Sequence, residues 1–109
     1  MKKLLFFFTL LVCNSIIAQS YPFNITGKIL DKKGNNPIEA ATIHLEKISD
    51  STVVNYTISD DKGSFSLEGK SFSKKLTLFI SYIGMENFKK SIELDKNSTF
   101  NLETILLNE

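Results

Sequence analysis

The chain of 109 residues contains no arginine: all 13 of its basic residues are lysine, set against 12 acidic ones. Arginine supplies the best phosphate and guanine contacts. Its absence from a near-neutral, interspersed sequence argues against a nucleic-acid partner. One cysteine, Cys13, excludes an internal disulfide, and one histidine, His44, excludes a zinc or dinuclear centre built on several imidazoles. There is no heptad run and no low-complexity tract. After residue 18 there is also no apolar stretch long enough to cross a membrane, which takes about 20 residues.

What is present begins with an export signal. Lys2 and Lys3 are followed by Leu4–Val12, an apolar run interrupted only by Thr9, and Ile16-Ile17-Ala18 closes on a small residue. That order reads as a signal peptide over 1–18, ahead of a single domain over 19–109. A lipid-anchor signal sets a small residue before its cysteine. Val12 fits that slot poorly, so Cys13 is read as lost with the signal; lipidation of Cys13 is the alternative. Cleavage after Ala18 removes two lysines and leaves 11 − 12 = −1 net charge. The mature chain then has no cysteine, so a packed core must supply its stability.

From Phe23 onward, apolar and polar residues alternate between turn signals. Ile25, Gly27 and Ile29 share a face of the first strand. After the Lys32–Pro37 loop, where Gly34 and the Asn35-Asn36 pair tolerate positive φ, Ala41, Ile43 and Leu45 point inward and Thr42, His44 and Glu46 outward. Val54, Tyr56 and Ile58 form a third strand. Ser59-Asp60-Asp61-Lys62-Gly63 is the clearest turn, and Phe65 and Leu67 follow it inward. Lys74–Ile83 places Leu76, Leu78, Ile80 and Tyr82 on one face and Thr77, Phe79, Ser81 and Ile83 on the other. It is read as a central strand covered on both sides. Glu86–Leu94 is the sixth strand, with Phe88, Ile92 and Leu94 inward and Lys90 as an exception. Phe100 and Leu102 open the seventh. Seven short strands at roughly 8–12-residue spacing, with no helical period, predict an all-β, seven-stranded antiparallel β-sandwich.

Chemistry is sparse. His44 shares its face only with Thr42 and Glu46, which is no metal-ligand spacing and no triad. Asp60 and Asp61 lack the alternating oxygen pattern of a calcium loop and read as hairpin chemistry, as does Asp31 with Gly34. Asn24, Asn55 and Asn97 each open an Asn-x-Ser/Thr triplet, read as chance. Phe65, Tyr82, Phe88 and Phe100 are assigned to the core, leaving Phe72 and Tyr21 as the aromatics to test for ligand contact. No catalytic, cofactor-binding or metal-binding residue is assigned, and no cofactor is expected.

The run Thr26–Gly34, followed by Asn36-Pro37-Ile38 and Ala40-Ala41-Thr42-Ile43, resembles the carboxypeptidase regulatory-like domain, a transthyretin-like β-sandwich. Ser59–Leu67 is similar to its Thr-Asp-x-x-Gly-x-Phe hairpin, with Ser59 in the threonine position, and Ile80–Gly84 to its strand-ending step. The zinc-binding His-x-x-Glu element of the accompanying enzymes is absent. Transthyretin-like hydrolases rely on several histidines and an arginine, whereas this chain has one histidine and no arginine, so the resemblance implies no enzyme. Leu45–Val54, with its Asp50-Ser51-Thr52-Val53-Val54 step, resembles the N-terminal extension of Bacteroidetes-type TonB-dependent outer-membrane β-barrel receptors. Phe100–Leu107 resembles the strand leading into their plug. The resemblance implies a periplasmic or outer-membrane-associated accessory domain whose partner is a plug, barrel or other envelope protein. The chain would be either a fragment of such a receptor, lacking plug and barrel, or a stand-alone relative. The alternative is a secreted carbohydrate- or surface-binding module with a glycan partner.

Overall fold

The computed structural model describes residues 20–109. The signal peptide and the fate of Cys13 lie outside the described residues. Seven strands follow one another: β1 Tyr21–Asp31, β2 Thr42–Lys47, β3 Val53–Ile58, β4 Ser64–Ser71, β5 Lys75–Ser81, β6 Phe88–Glu93 and β7 Ser98–Leu107. They form two layers, a three-stranded sheet in the order β4-β1-β7 and a four-stranded sheet in the order β3-β2-β5-β6. The all-β, seven-stranded sandwich expected from the alternation is the fold.

Period-two patterning decides what faces inward. From the four-stranded sheet come Ile43 and Leu45 of β2 and Leu76, Leu78 and Ile80 of β5, all at 0% exposure. The register sets Ile43 opposite Ile80 and Leu45 opposite Leu78. The facing layer contributes Phe23, Ile25 and Ile29 from β1, Phe65 and Leu67 from β4, and Ile105 and Leu107 from β7. Burial of each such side chain is worth about 1.5–3 kcal/mol, and their sum is what chiefly holds the layers together. Among the described residues, the seven strands enclose one continuous core drawn from both layers.

Short polar side chains fix the connections. Asp60 Oδ1 accepts from the N–H groups of Lys62 and Ser64, both at 2.9 Å, and Gly63 takes φ 77° to close the hairpin. Gly63 is also hemmed in: an added Cβ would fall on the Ile29 carbonyl. At the other end of the same motif Ser59 is buried. Its Oγ donates to the Ile38 carbonyl at 2.6 Å and accepts from the Ala41 N–H at 2.9 Å, tying the β1–β2 loop to the strand leading out of β3. Asp31 Oδ1 accepts from the Gly34 N–H, as loop chemistry requires, but the left-handed residue of that loop is Asn35 at φ 56°, not Gly34 or Asn36. The Asp31 side chain already turns the chain at Gly34.

Three expectations need correction. The sandwich is not antiparallel throughout: β7 pairs with β1 in parallel, from Phe23↔Ser98 to Asp31↔Leu107. The reason is that β7 crosses from the other layer instead of returning through a hairpin. Tyr82 is not a core residue; β5 ends at Ser81, and Tyr82 is 40% exposed in a turn closed by Met85 N–H on the Tyr82 carbonyl, with Gly84 at φ 82°. Finally, β5 is interior in its sheet, but only its inward face is covered by the second layer. The Thr77-Phe79-Ser81 face is part of an open sheet surface, and Ile83, at the tip of the turn, is 95% exposed.

Candidate interaction surface

The open face of the four-stranded sheet is built by register. Tyr56 lies opposite His44, His44 opposite Phe79, and Phe79 opposite Lys89, which sets one row across all four strands. The His44 and Phe79 rings stack with centroids 4.9 Å apart and planes 8° from parallel. Lys89 Nζ sits 5.5 Å from the Phe79 centroid on the other side of the row, a cation held over the ring's negative face. Alongside, His44 Nε2 meets Glu46 Oε2 at 2.7 Å, two residues along β2 on the same face.

That pair explains His44. With both side chains about a quarter exposed (23%), water screens the interaction, and a pair of this kind contributes about 0–1 kcal/mol. Its effect is geometric: Glu46 holds the imidazole flat against Phe79, where ring packing adds about 0.5–1.5 kcal/mol. Alternation along β2 sets His44, Thr42 and Glu46 on one outward face, and the structure does the same. No group of three or more His, Cys, Asp or Glu able to hold a metal ion occurs among the described residues.

At its β3 end the open face is apolar. Val53, Tyr56 and Ile58 are 54%, 69% and 59% exposed, on the strand that forms one edge of the sheet. The sequence marks these residues as a strand but gives no sign that they face outward. It sets Phe79 on the second face of its strand and gives no reason to single out Tyr56. Register alone joins them.

The structure does not bring together the two aromatics singled out for ligand contact. Tyr21 pairs with the buried Ser71 across β1 and β4, and Phe72, one residue beyond Ser71, is 72% exposed. Tyr21 packs against the core and carries Lys74 Nζ 5.4 Å from its ring centroid. Phe65 is buried as expected, while Phe88 and Phe100 are half-buried and pack against the core. Asp50 closes the β2–β3 turn: the Thr52 hydroxyl and N–H hold its carboxyl below the usual carboxylate range, and Ser51 takes φ 60°.

Two layers of short strands over one core define a transthyretin-type β-sandwich module. The chain belongs to the CarboxypepD_reg-like domain family, whose pattern matches residues 25–109. Solved structures repeat the fold at low identity. The Bacillus anthracis TIE protein aligns with a TM-score of 0.64 and 14% identity, over 82% of this chain and 17% of that one. GBS52, the minor pilin of Streptococcus agalactiae, aligns at 0.57 and 12%, over 83% and 44%. The 3-chlorocatechol 1,2-dioxygenase of Rhodococcus opacus 1CP aligns at 0.52 and 9%, over 84% and 61%. In each case this chain spans less than two thirds of the other, and the likeness is one of fold. No curated protein matches the chain.

Proposed function

We propose that this chain is a non-catalytic interaction module of the bacterial envelope, acting as the periplasmic accessory domain of a TonB-dependent outer-membrane receptor. Membership of the CarboxypepD_reg-like family carries the reading, and the export signal expected over 1–18 supports the compartment. In this role the sandwich is a scaffold that presents sheet edges and turns to a plug, barrel or other envelope protein. Its one histidine serves packing, held by Glu46 against Phe79.

The test is an immunoblot of fractionated native cells with antiserum to residues 19–109. A large outer-membrane band supports the receptor reading. A small soluble band in periplasm or medium overturns it in favour of a free-standing module. A second reading, a glycan-binding module, is favoured by Phe72, an aromatic 72% exposed just beyond the end of β4. Glycan-array binding lost in Phe72→Ala supports that reading, and absence of binding to any glycan removes it.

A further inference from the structure

The four edge strands of the sandwich are not alike. β6 carries Lys89, Lys90 and Glu93, and β4 carries Glu68 and Lys70. β7 carries Glu103 at φ 57°, where the register with β1 shifts and bends the edge. Charges and bulges of this kind are how edges avoid pairing with other chains. β3 has no charge to guard it. From Thr52 to Ser59 the sequence Thr-Val-Val-Asn-Tyr-Thr-Ile-Ser holds no charged residue, and its one bulge, at Val54 between the Leu45↔Asn55 and Glu46↔Val53 pairs, lies outside the stretch from Asn55 to Ser59. It is rich in β-branched and aromatic residues, which favour strand pairing.

The backbone groups left over on β3 can be assigned. Ser59 N–H donates to the Ala41 carbonyl, and bonding alternates along an antiparallel ladder, so Thr57 and Asn55 turn their polar groups to β2. Tyr56 and Ile58 turn theirs to the free edge. Consistent with that, Tyr56 N–H is met by a side chain, Asn55 Oδ1 at 2.9 Å, while Asn55 Nδ2 donates to the Glu68 carbonyl of β4.

We propose that two copies of this chain associate by antiparallel pairing of their β3 strands about a two-fold axis at Thr57. This register sets Tyr56 against the partner's Ile58, and Ile58 against the partner's Tyr56, with two backbone hydrogen bonds in each pair. All four side chains lie on the open face, where aromatic–β-branched cross-strand pairs are favourable. No charged residue falls opposite a like charge. Self-pairing of β6 would instead crowd Lys89 and Lys90 against their counterparts. The Asn55 bond to Tyr56 N–H is exchanged for the carbonyl of the partner's Ile58, and the Asn55 bond to Glu68 is kept. The two four-stranded sheets then become one continuous sheet of eight strands. The contact is short, so the dimer is a weak, concentration-dependent one. The inference is independent of the receptor reading.

The axis makes the test specific. Thr57 meets its own counterpart as a non-hydrogen-bonded pair, where Cα atoms approach to about 4.5 Å, within disulfide range. Residues 20–109 contain no cysteine. Sedimentation of this segment over a concentration series should show the mass doubling, and Ile58→Lys should hold it at monomer mass while circular dichroism stays unchanged. Thr57→Cys should oxidise to a covalent dimer several-fold faster than Thr99→Cys, a control on β7. A segment that stays monomeric throughout, or a dimer that survives Ile58→Lys, overturns the proposal. So does Thr57→Cys oxidising no faster than the control.

Discussion

Phe65 and Gly27 offer the sharpest test of how the layers pack. They face each other across β1 and β4, and the Phe65 ring lies over the glycine. A Cβ added at Gly27 would sit 2.7 and 2.8 Å from two ring carbons, closer than atoms tolerate. Phe65 is 5% exposed, so Phe65→Ala removes a buried ring and leaves a cavity, at a cost of about 3–5 kcal/mol. Set against a total stability of about 5–15 kcal/mol, that is a large share. Gly27→Ala overfills the same space and costs about 1–3 kcal/mol. In the double variant the new methyl occupies room the ring has vacated, so the combined loss should fall short of the sum by at least about 1 kcal/mol. Urea unfolding of residues 20–109, followed by far-ultraviolet circular dichroism at one low concentration, measures all three. With a slope of about 2 kcal/mol/M, Phe65→Ala should lower the midpoint by roughly 2 M. Additive losses, or a loss below about 1 kcal/mol for Phe65→Ala, would refute the packing described.

The same assay separates the two left-handed glycines. Gly63→Val drives a side chain onto the Ile29 carbonyl and should cost about 3 kcal/mol, whereas Gly84→Ala meets open space and should cost about 1 kcal/mol; equal losses would refute the clash. Ala40 sits at φ 66°, so Ala40→Gly should stabilise by about 0.5–1 kcal/mol, and a loss there would show that this conformation is not strained. Ser59→Ala leaves the Ile38 carbonyl and the Ala41 N–H unpaired in a buried site, for about 1–3 kcal/mol; a neutral result would mean that water replaces the hydroxyl. Asp50 has its folded pKa lowered by Thr52, so its small contribution is complete above the unfolded value and is lost as pH falls through the folded one. An NMR titration should place its midpoint below that of free aspartate and move it up in Thr52→Ala; an unchanged midpoint would remove the assigned cause.

Period-two alternation makes the strands and most of the core legible. Ile43, Leu45, Leu76, Leu78 and Ile80 declare themselves because hydrophobic burial is the largest force driving folding and each strand has one buried face. Turn chemistry is equally readable at Asp60 and Gly63, where short-range hydrogen bonds decide the backbone. What stays hidden depends on register and crossover. Alternation says that Tyr56 and Ile58 share a face but not which layer it meets, and only pairing with Thr42 and His44 turns them outward. Tyr82 follows the β5 pattern, yet the turn through Gly84 lifts it from the sheet before the pattern can act. The Tyr56–His44–Phe79–Lys89 row draws its members from four strands scattered along the chain, so no local window contains it. The His44–Glu46 pair is visible because two residues on one strand share a face by geometry alone.

The parallel pairing of β1 with β7 has a mechanical meaning. The chain enters the three-stranded sheet at Tyr21 and leaves it at Leu107, and adjacent strands running the same way put those points at opposite ends of the sandwich. At about 3.3 Å per residue the ten residues of β7 extend roughly 33 Å along its neighbour. Tension applied through Tyr21 and Leu107 therefore drags the two strands past each other lengthwise. The rungs between Phe23↔Ser98 and Asp31↔Leu107 share that load and must give way together. Antiparallel terminal strands would bring both attachment points to one end and peel apart a rung at a time. Force applied between these two points loads the sandwich in shear and not in peeling.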